Sequence, residues 1–218
     1  MIKAIVFDFD DTLIHTYENG LANLRLIGKE LGLPLPSDSA MRKHWGKSAK
    51  DFIRNLWPGA RIEDFSRKYL SLNRTMKPYP PVRGVHEILD LLSGEFVLGI
   101  VTGGEREVMI RKMISSKIDF KKFSFILTHD EIGKSKSDPG YFDHVLLELK
   151  GLGIGRREVL FVGDSVHDWE AARKGGLYFA GVLTGPTTME DFLGKGLEKS
   201  MIIPSVTELP LLIKDNGF

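Results

Sequence analysis

Four short polar segments carry the chemistry available to this chain. Asp8-Phe9-Asp10-Asp11-Thr12 closes the first apolar run, and Thr102-Gly103-Gly104 closes another. Lys134-Ser135-Lys136-Ser137-Asp138-Pro139 lies some residues after a third, and Gly163-Asp164-Ser165-Val166-His167-Asp168 closes a fourth. Taken singly, each has a bland reading: Asp-x-Asp can cap a turn, a Gly pair can link strand to helix, and a lone Lys is usually solvated. Three acidic residues at the end of an apolar run are harder to explain so, because unpaired burial of carboxylates is costly. If the runs are parallel strands, all four segments meet at one sheet edge, where ligands of such sheets sit. Crowded carboxylates repel, and a divalent cation removes that cost. Oxygen ligands from few carboxylates, with water and phosphate completing the shell, favour Mg²⁺. A cation and a nearby Lys would also shield a phosphate dianion from an attacking carboxylate. Gly103 and Gly104 would let backbone N–H groups approach phosphate oxygens at a helix start. The chemistry that fits is phosphoryl transfer.

The elements that must position these groups are legible as alternating runs. Strands are expected at Lys3–Asp8, Phe96–Thr102, Phe123–Thr128, Val159–Gly163 and Tyr178–Leu183, with a weaker one at Met201–Val206. Their near-continuous apolar character is that of strands buried on both faces. Helical periodicity lies between them at Val85–Leu92, Arg106–Ile114, Pro139–Leu149 and His167–Gly175. Strand–helix–strand repetition implies right-handed crossovers and a layered α/β sheet. From about His15 to Lys77 no strand is evident. Leu21–Leu33, Ser39–Leu56 and Ile62–Arg74 read as helices, and Met76–Gly84, with three prolines, reads as a stiff linker. The expectation is an α/β core of residues 1–14 and 81–218 with a helical domain, residues 15–80, inserted after the first strand.

Composition narrows the partners. The 218 residues suit one medium domain with an insert, and 42% hydrophobic with 27% charged is a globular mix. The absence of Cys excludes disulfides, a thiolate zinc site and a cysteine nucleophile. A net charge of +1 offers no basic field for nucleic acid. Met1–Phe9 is too short and too quickly acidic for a signal peptide, and no apolar stretch is long enough to span a membrane. A cytoplasmic enzyme, monomer or homodimer, is expected.

The ordered set of motifs resembles the haloacid dehalogenase superfamily, in its phosphoglycolate phosphatase and β-phosphoglucomutase-like branch. Asp8-Phe9-Asp10-Asp11-Thr12 looks like the first motif, Thr102 the second, and Lys136 with Asp138-Pro139 the third. Gly163–Asp168, running on through Trp169-Glu170-Ala171-Ala172-Arg173-Lys174-Gly175-Gly176, looks like the fourth. Ser137 stands where that family often has proline after the lysine, and Lys134 is an alternative to Lys136. The resemblance implies a Rossmann-like parallel sheet core with an inserted α-helical cap.

It also implies roles. Asp8 would be the nucleophile forming an aspartyl phosphate, and Asp10 the general acid and then base. Thr102, the Gly103 N–H, Gly104 and Thr12 would surround the phosphoryl group, and Lys136 would neutralise charge. Asp8, the backbone carbonyl of Asp10 and Asp164 would bind Mg²⁺. Asp168 would be either a ligand through water or a brace for Lys136. Family dehalogenases lack the second Asp, so Asp10 favours phosphate esters over haloacids. Met41–Ser48 resembles the cap loop that approaches substrate. Arg42 and Lys47 could meet a second anionic group there or be solvated helix charges. The implied activity is hydrolysis of small phosphorylated metabolites. A phosphomutase using the same residues is the nearest rival, and a phospho-accepting signalling domain a more distant one.

Overall fold

The fold follows from strands that must be covered on both sides. In the computed structural model, which describes residues 1–47, 49–72 and 77–217, Ile5 and Phe7 of strand β1 (Ala4–Phe7) enter one apolar cluster and Ala4 and Val6 enter another. Period-two alternation with both faces apolar commits β1 to the centre of a sheet. Four helices come next: α1 (Tyr17–Glu30), α2 (Asp38–His44), α3 (Ala49–Leu56) and α4 (Ile62–Leu72). Then follow α5 (Val85–Ser93), β2 (Val97–Val101), α6 (Arg106–Ser116), β3 (Phe125–Leu127), α7 (His129–Ile132) and α8 (Asp143–Gly151). The chain continues through β4 (Val159–Gly163), α9 (Val166–Gly175), β5 (Tyr178–Val182), α10 (Met189–Gly194), β6 (Ile202–Ile203) and α11 (Leu209–Asp215).

The six strands are parallel in the order β3-β2-β1-β4-β5-β6. This is a Rossmann-like α/β sheet. From β1 the chain first winds one way to β2 and β3, then returns to β1's other side with β4. That reversal opens a crevice beyond the C-terminal ends of β1, β2 and β4. Phe7 lies level with Ile100 on one side and Val162 on the other, so Asp8, Thr102 and Asp164 leave the sheet side by side.

The four helices α1–α4 hold a hydrophobic cluster of their own, built on Leu21, Ile27, Met41, Phe52, Ile53, Trp57 and Phe65. The two chain segments joining them to the sheet run alongside each other. Ile14 bridges Pro81, His15 N–H donates to Pro80 O at 2.8 Å, and Val82 N–H donates to Leu13 O at 3.0 Å. Among the described residues no helix is long and apolar enough to cross a membrane.

Several element limits differ from the sequence expectation. The first helix begins at Tyr17 rather than Leu21, because the Asp11 carboxylate accepts the N–H groups of Thr16 and Tyr17 at 2.7 and 2.8 Å. The helix expected over Ser39–Leu56 is two, broken near Gly46, whose φ of +80° is not helical. The helix expected from Pro139 begins at Asp143, after a turn in which Asp143 N–H donates to Gly140 O at 3.0 Å. Arg74 and Met76, expected at a helix end and a linker start, lie outside the described residues.

Gly99 in β2 lies under the ring of Phe125 on β3, and a Cβ there would collide with that ring. Gly99→Ala should lower unfolding free energy by about 1–3 kcal/mol through overpacking. Phe125→Leu in the same chain should recover part of it, as measured by chemical denaturation. Additive losses in the double variant would contradict this packing.

Candidate active site

Each strand end delivers one group. Asp8 leaves β1 with its N–H donating to Val162 O at 2.8 Å, which pins its backbone to β4. Thr102 leaves β2 with its N–H donating to Leu127 O at 3.0 Å. Asp164 follows Gly163 at the end of β4. Lys136, in the loop after α7, reaches back so that its Nζ lies 2.7 Å from Asp8 Oδ2 and 2.7 Å from Asp168 Oδ1. All three partners are buried, Lys136 at 6% exposure, Asp8 at 3% and Asp168 at 0%. Lys134 instead donates to Gly140 O and pairs with Asp143, so Lys136 is the lysine of the site.

Asp168 acts as a brace in this arrangement. Its Oδ2 accepts from the Ser165 N–H at 3.1 Å and from the Ser165 hydroxyl, closing a capping box at the start of α9, while Oδ1 holds Lys136. Two glycines give the carboxylates room. A Cβ on Gly163 would meet Asp168, and one on Gly185 would strike the carboxylate of Asp164.

Carboxylate oxygens of Asp8, Asp164 and Asp168 all lie within 4.8 Å of one another. Asp8 Oδ1 and Asp164 Oδ2 are buried and have no hydrogen-bond partner. Unsatisfied buried oxygens of this kind signal an ion or water that completes them. A hard divalent cation fits, since the donors are carboxylate oxygens on a rigid sheet edge. The electrostatics agree. Burial, reinforced by Asp168 and Asp10 and opposed by Lys136, raises the Asp8 carboxyl to about 7. Asp164 is held well above the ordinary carboxylate range by burial and then by Asp11, Asp168 and Asp8. Burial works against the Lys136 ammonium, but Asp168 and Asp8 together outweigh it and hold the lysine well above its usual value.

A cavity of about 200 Å³ opens over this cluster, between the sheet edge and helices α1, α3 and α4. Asp8, Asp10, Thr102, Gly103, Gly104, Lys136 and Asp164 lie on its wall. The Gly104 N–H donates to Thr102 Oγ1 at 3.2 Å. Lys47 also lines the cavity, with its Nζ 3.3 Å from His44 Nδ1. Two expected substrate contacts are not there. Thr12 is fully buried and off the cavity wall, because Asp11 adopts a left-handed φ of 57° that turns the chain away after Asp10. Arg42 donates to Pro186 O at 3.1 Å and lies 3.7 Å from Asp191, on the outer rim.

Three features escaped the sequence reading. Lys112 reaches into the cavity from α6, with its Nζ 2.6 Å from Asp10 Oδ1 and 5.0 Å from the centre of the Tyr79 ring. Burial opposes its charge, but Asp10 together with Tyr69 and Tyr79 outweighs that and raises the lysine. Val108 and Lys112 are one helical turn apart and share the cavity face, a spacing visible in the sequence. Asp11 accepts from Trp45 Nε1 at 2.7 Å, tying the catalytic loop to the inserted helices. Ser66 on α4 donates to Glu105 at 2.9 Å, a second tie across the cavity.

Comparison with known proteins agrees with this geometry. Residues 5–182 match the family model described as haloacid dehalogenase-like hydrolase. The chain belongs to that family. It is 27% identical, over 87% of its length and 86% of the relative's, to an N-acetylmuramic acid 6-phosphate phosphatase of Pseudomonas putida. It is 29% identical, over 99% and 97% respectively, to a phosphoglycolate phosphatase of Nitrosospira multiformis. A hydrolase from Pseudomonas syringae superposes with a TM-score of 0.80 over 99% of both chains at 22% identity, so the whole fold is shared.

The raised Asp8 carboxyl sets a pH dependence. Its folded value of about 7 exceeds the ordinary 3.8, so the native state binds this proton more tightly than the unfolded chain. Without metal, stability should therefore fall as pH rises across that interval. Protons and a divalent cation would compete for the same oxygens. Mg²⁺ at about a hundredfold excess over its dissociation constant at about pH 8 should raise the melting temperature by about 5–10 °C. The same Mg²⁺ concentration at about pH 5 should raise it far less. Equal increments at both pH values would contradict the shared site.

Proposed function

We propose that this hydrolase is a Mg²⁺-dependent phosphatase of small phosphorylated metabolites, working through a phosphoryl group carried on Asp8. The observation that carries the reading is the Asp8 carboxylate. Lys136 fixes its Oδ2, its Oδ1 is free of partners, and it lies at the floor of a cavity beside Thr102 and the Gly103-Gly104 turn. The names of the relatives, which are phosphatases, support the same class of reaction.

In the proposed first step an Asp8 oxygen bonds to phosphorus while the bond from phosphorus to the leaving oxygen breaks. Asp10, on the cavity wall, donates a proton to that oxygen, which departs as an alcohol. Thr102 and the Gly103 N–H hold the equatorial oxygens, and Lys136 balances their charge. In the second step Asp10 takes a proton from water, whose oxygen bonds to phosphorus as the bond to Asp8 breaks. Inorganic phosphate leaves and Asp8 is regenerated. Asp8, Asp164 and the backbone carbonyl of Asp10 would hold Mg²⁺, which supplies charge neutralisation between nucleophile and phosphate when bound.

Residues 15–80 act as a cap in this reading. The Asp11–Trp45 and Ser66–Glu105 hydrogen bonds hold it over the site, where it excludes bulk water from the phosphoryl intermediate.

A phosphate-release screen over phosphorylated metabolites with Mg²⁺ tests this directly. Asp8→Asn should reduce release to background. Asp10→Asn should lower it about 10²–10⁴-fold, the usual contribution of a positioned acid–base, with the Mg²⁺-induced rise in melting temperature retained. Full activity in Asp8→Asn would overturn the assignment, and isomer formation from a sugar phosphate without phosphate release would turn it toward a mutase.

A further inference from the structure

The upper cavity differs in chemistry from its floor. Away from the catalytic groups its wall includes Leu24 and Ile27 of α1, Phe52 and Ile53 of α3, Phe65 of α4 and Val108 of α6. Four of these, Ile27, Phe52, Ile53 and Phe65, belong to the buried cluster of the inserted helices, so the cavity runs into that cluster's apolar interior. Most polar groups on the same wall already have partners within the protein. Ser66 donates to Glu105, Lys112 pairs with Asp10, Lys47 approaches His44, and Tyr79 accepts from Asn23 while bonding Tyr69. Thr16 Oγ1 is the exception, buried on the wall with no hydrogen-bond partner.

The geometry points to a hydrophobic alcohol as the leaving group: this site takes phosphate monoesters of an aryl or branched alkyl alcohol of about one ring in size. The inference rests on the phosphatase reading and names its substrate class. A polyhydroxylated leaving group would bury several hydroxyls against Leu24, Ile27, Phe52, Ile53 and Phe65, which offer them no partner, and each hydroxyl left unpaired is costly. An apolar one gains by leaving water and by filling the space. Apolar cavities are destabilising to hold open and stay dry, and one of about 150 Å³ admits benzene. The 200 Å³ here must hold a phosphoryl group as well, which leaves room for one such ring. Thr16 Oγ1 can serve a single polar substituent on it.

Primary alkyl phosphates from ethyl to hexyl share nearly the same leaving-group chemistry and differ in apolar length, which isolates the effect of this wall. Phosphate release with Mg²⁺ is measured for that series and for benzyl phosphate, phosphoglycolate and a hexose phosphate, with Asp8→Asn as blank. Expected is a rise in kcat/KM of about fourfold per methylene until the cavity is full, with hexyl and benzyl phosphate ahead of phosphoglycolate and the hexose phosphate. Leu24→Gln should flatten the slope. A flat series, or faster cleavage of the polar esters, with release still abolished in Asp8→Asn, overturns the hydrophobic leaving group and leaves the phosphatase reading standing. No Asp8-dependent release from any ester overturns both.

Discussion

A single buried ammonium shared by two carboxylates governs this site. Lys136 lies 2.7 Å from both Asp8 and Asp168, and none of the three is appreciably exposed. Asp164 adds a third carboxylate within 4.8 Å of the others. At an effective dielectric near 20, two carboxylate charges at that separation repel by roughly 3 kcal/mol. One lysine cannot neutralise three such groups, so protons must occupy part of the cluster or a cation must enter it. The raised carboxyls of Asp8 and Asp164 express that imbalance. Charge stress of this kind favours uptake of a divalent ion and, with it, of phosphate. The strain is held by the sheet edge, which gives the carboxylates no room to separate.

The topology supplies the edge and the inserted helices supply the chamber. Reversal of strand order around β1 brings β1, β2 and β4 together, so Asp8, Thr102 and Asp164 need no long loops to meet. Asp11 joins the two parts. Its left-handed backbone ends the catalytic turn, one carboxylate oxygen accepts the N–H groups opening α1, and the other accepts from Trp45. Movement of the inserted helices would therefore be felt one residue from Asp10. The apolar wall above it gives the chamber a character that the catalytic motifs alone do not reveal.

Much of this was legible in the sequence, for physical reasons. Strands buried on both faces read as unbroken apolar runs, and the polar residue behind each run marks where a parallel sheet presents its chemistry. That logic found Asp8, Thr102, Lys136 and Asp164, and it located Val159–Gly163 with the limits observed. What it missed depends on long-range contacts. Lys112 looks like a solvated helix charge until α6 is docked with Met109 and Met113 inward, which turns the lysine toward Asp10. Asp11 reads as one more acid of a motif until its partners Thr16, Tyr17 and Trp45 are folded around it. The resemblance to the first motif puts Thr12 at the phosphate, and the resemblance to the cap loop offers Arg42 for a second anionic group. A left-handed residue and a rim contact with Pro186 and Asp191 remove them from those roles.

Phosphorylation of Asp8 during turnover is the measurement closest to the centre of this reading. Rapid acid quench of the protein hydrolysing p-nitrophenyl phosphate with Mg²⁺, followed by peptide mass spectrometry, reads the site of the phosphoryl group. Expected is one phosphoryl group on the peptide containing Asp8, absent in Asp8→Asn. A phosphoryl group on another residue, or sustained hydrolysis by Asp8→Asn with no phosphorylated peptide, would contradict it.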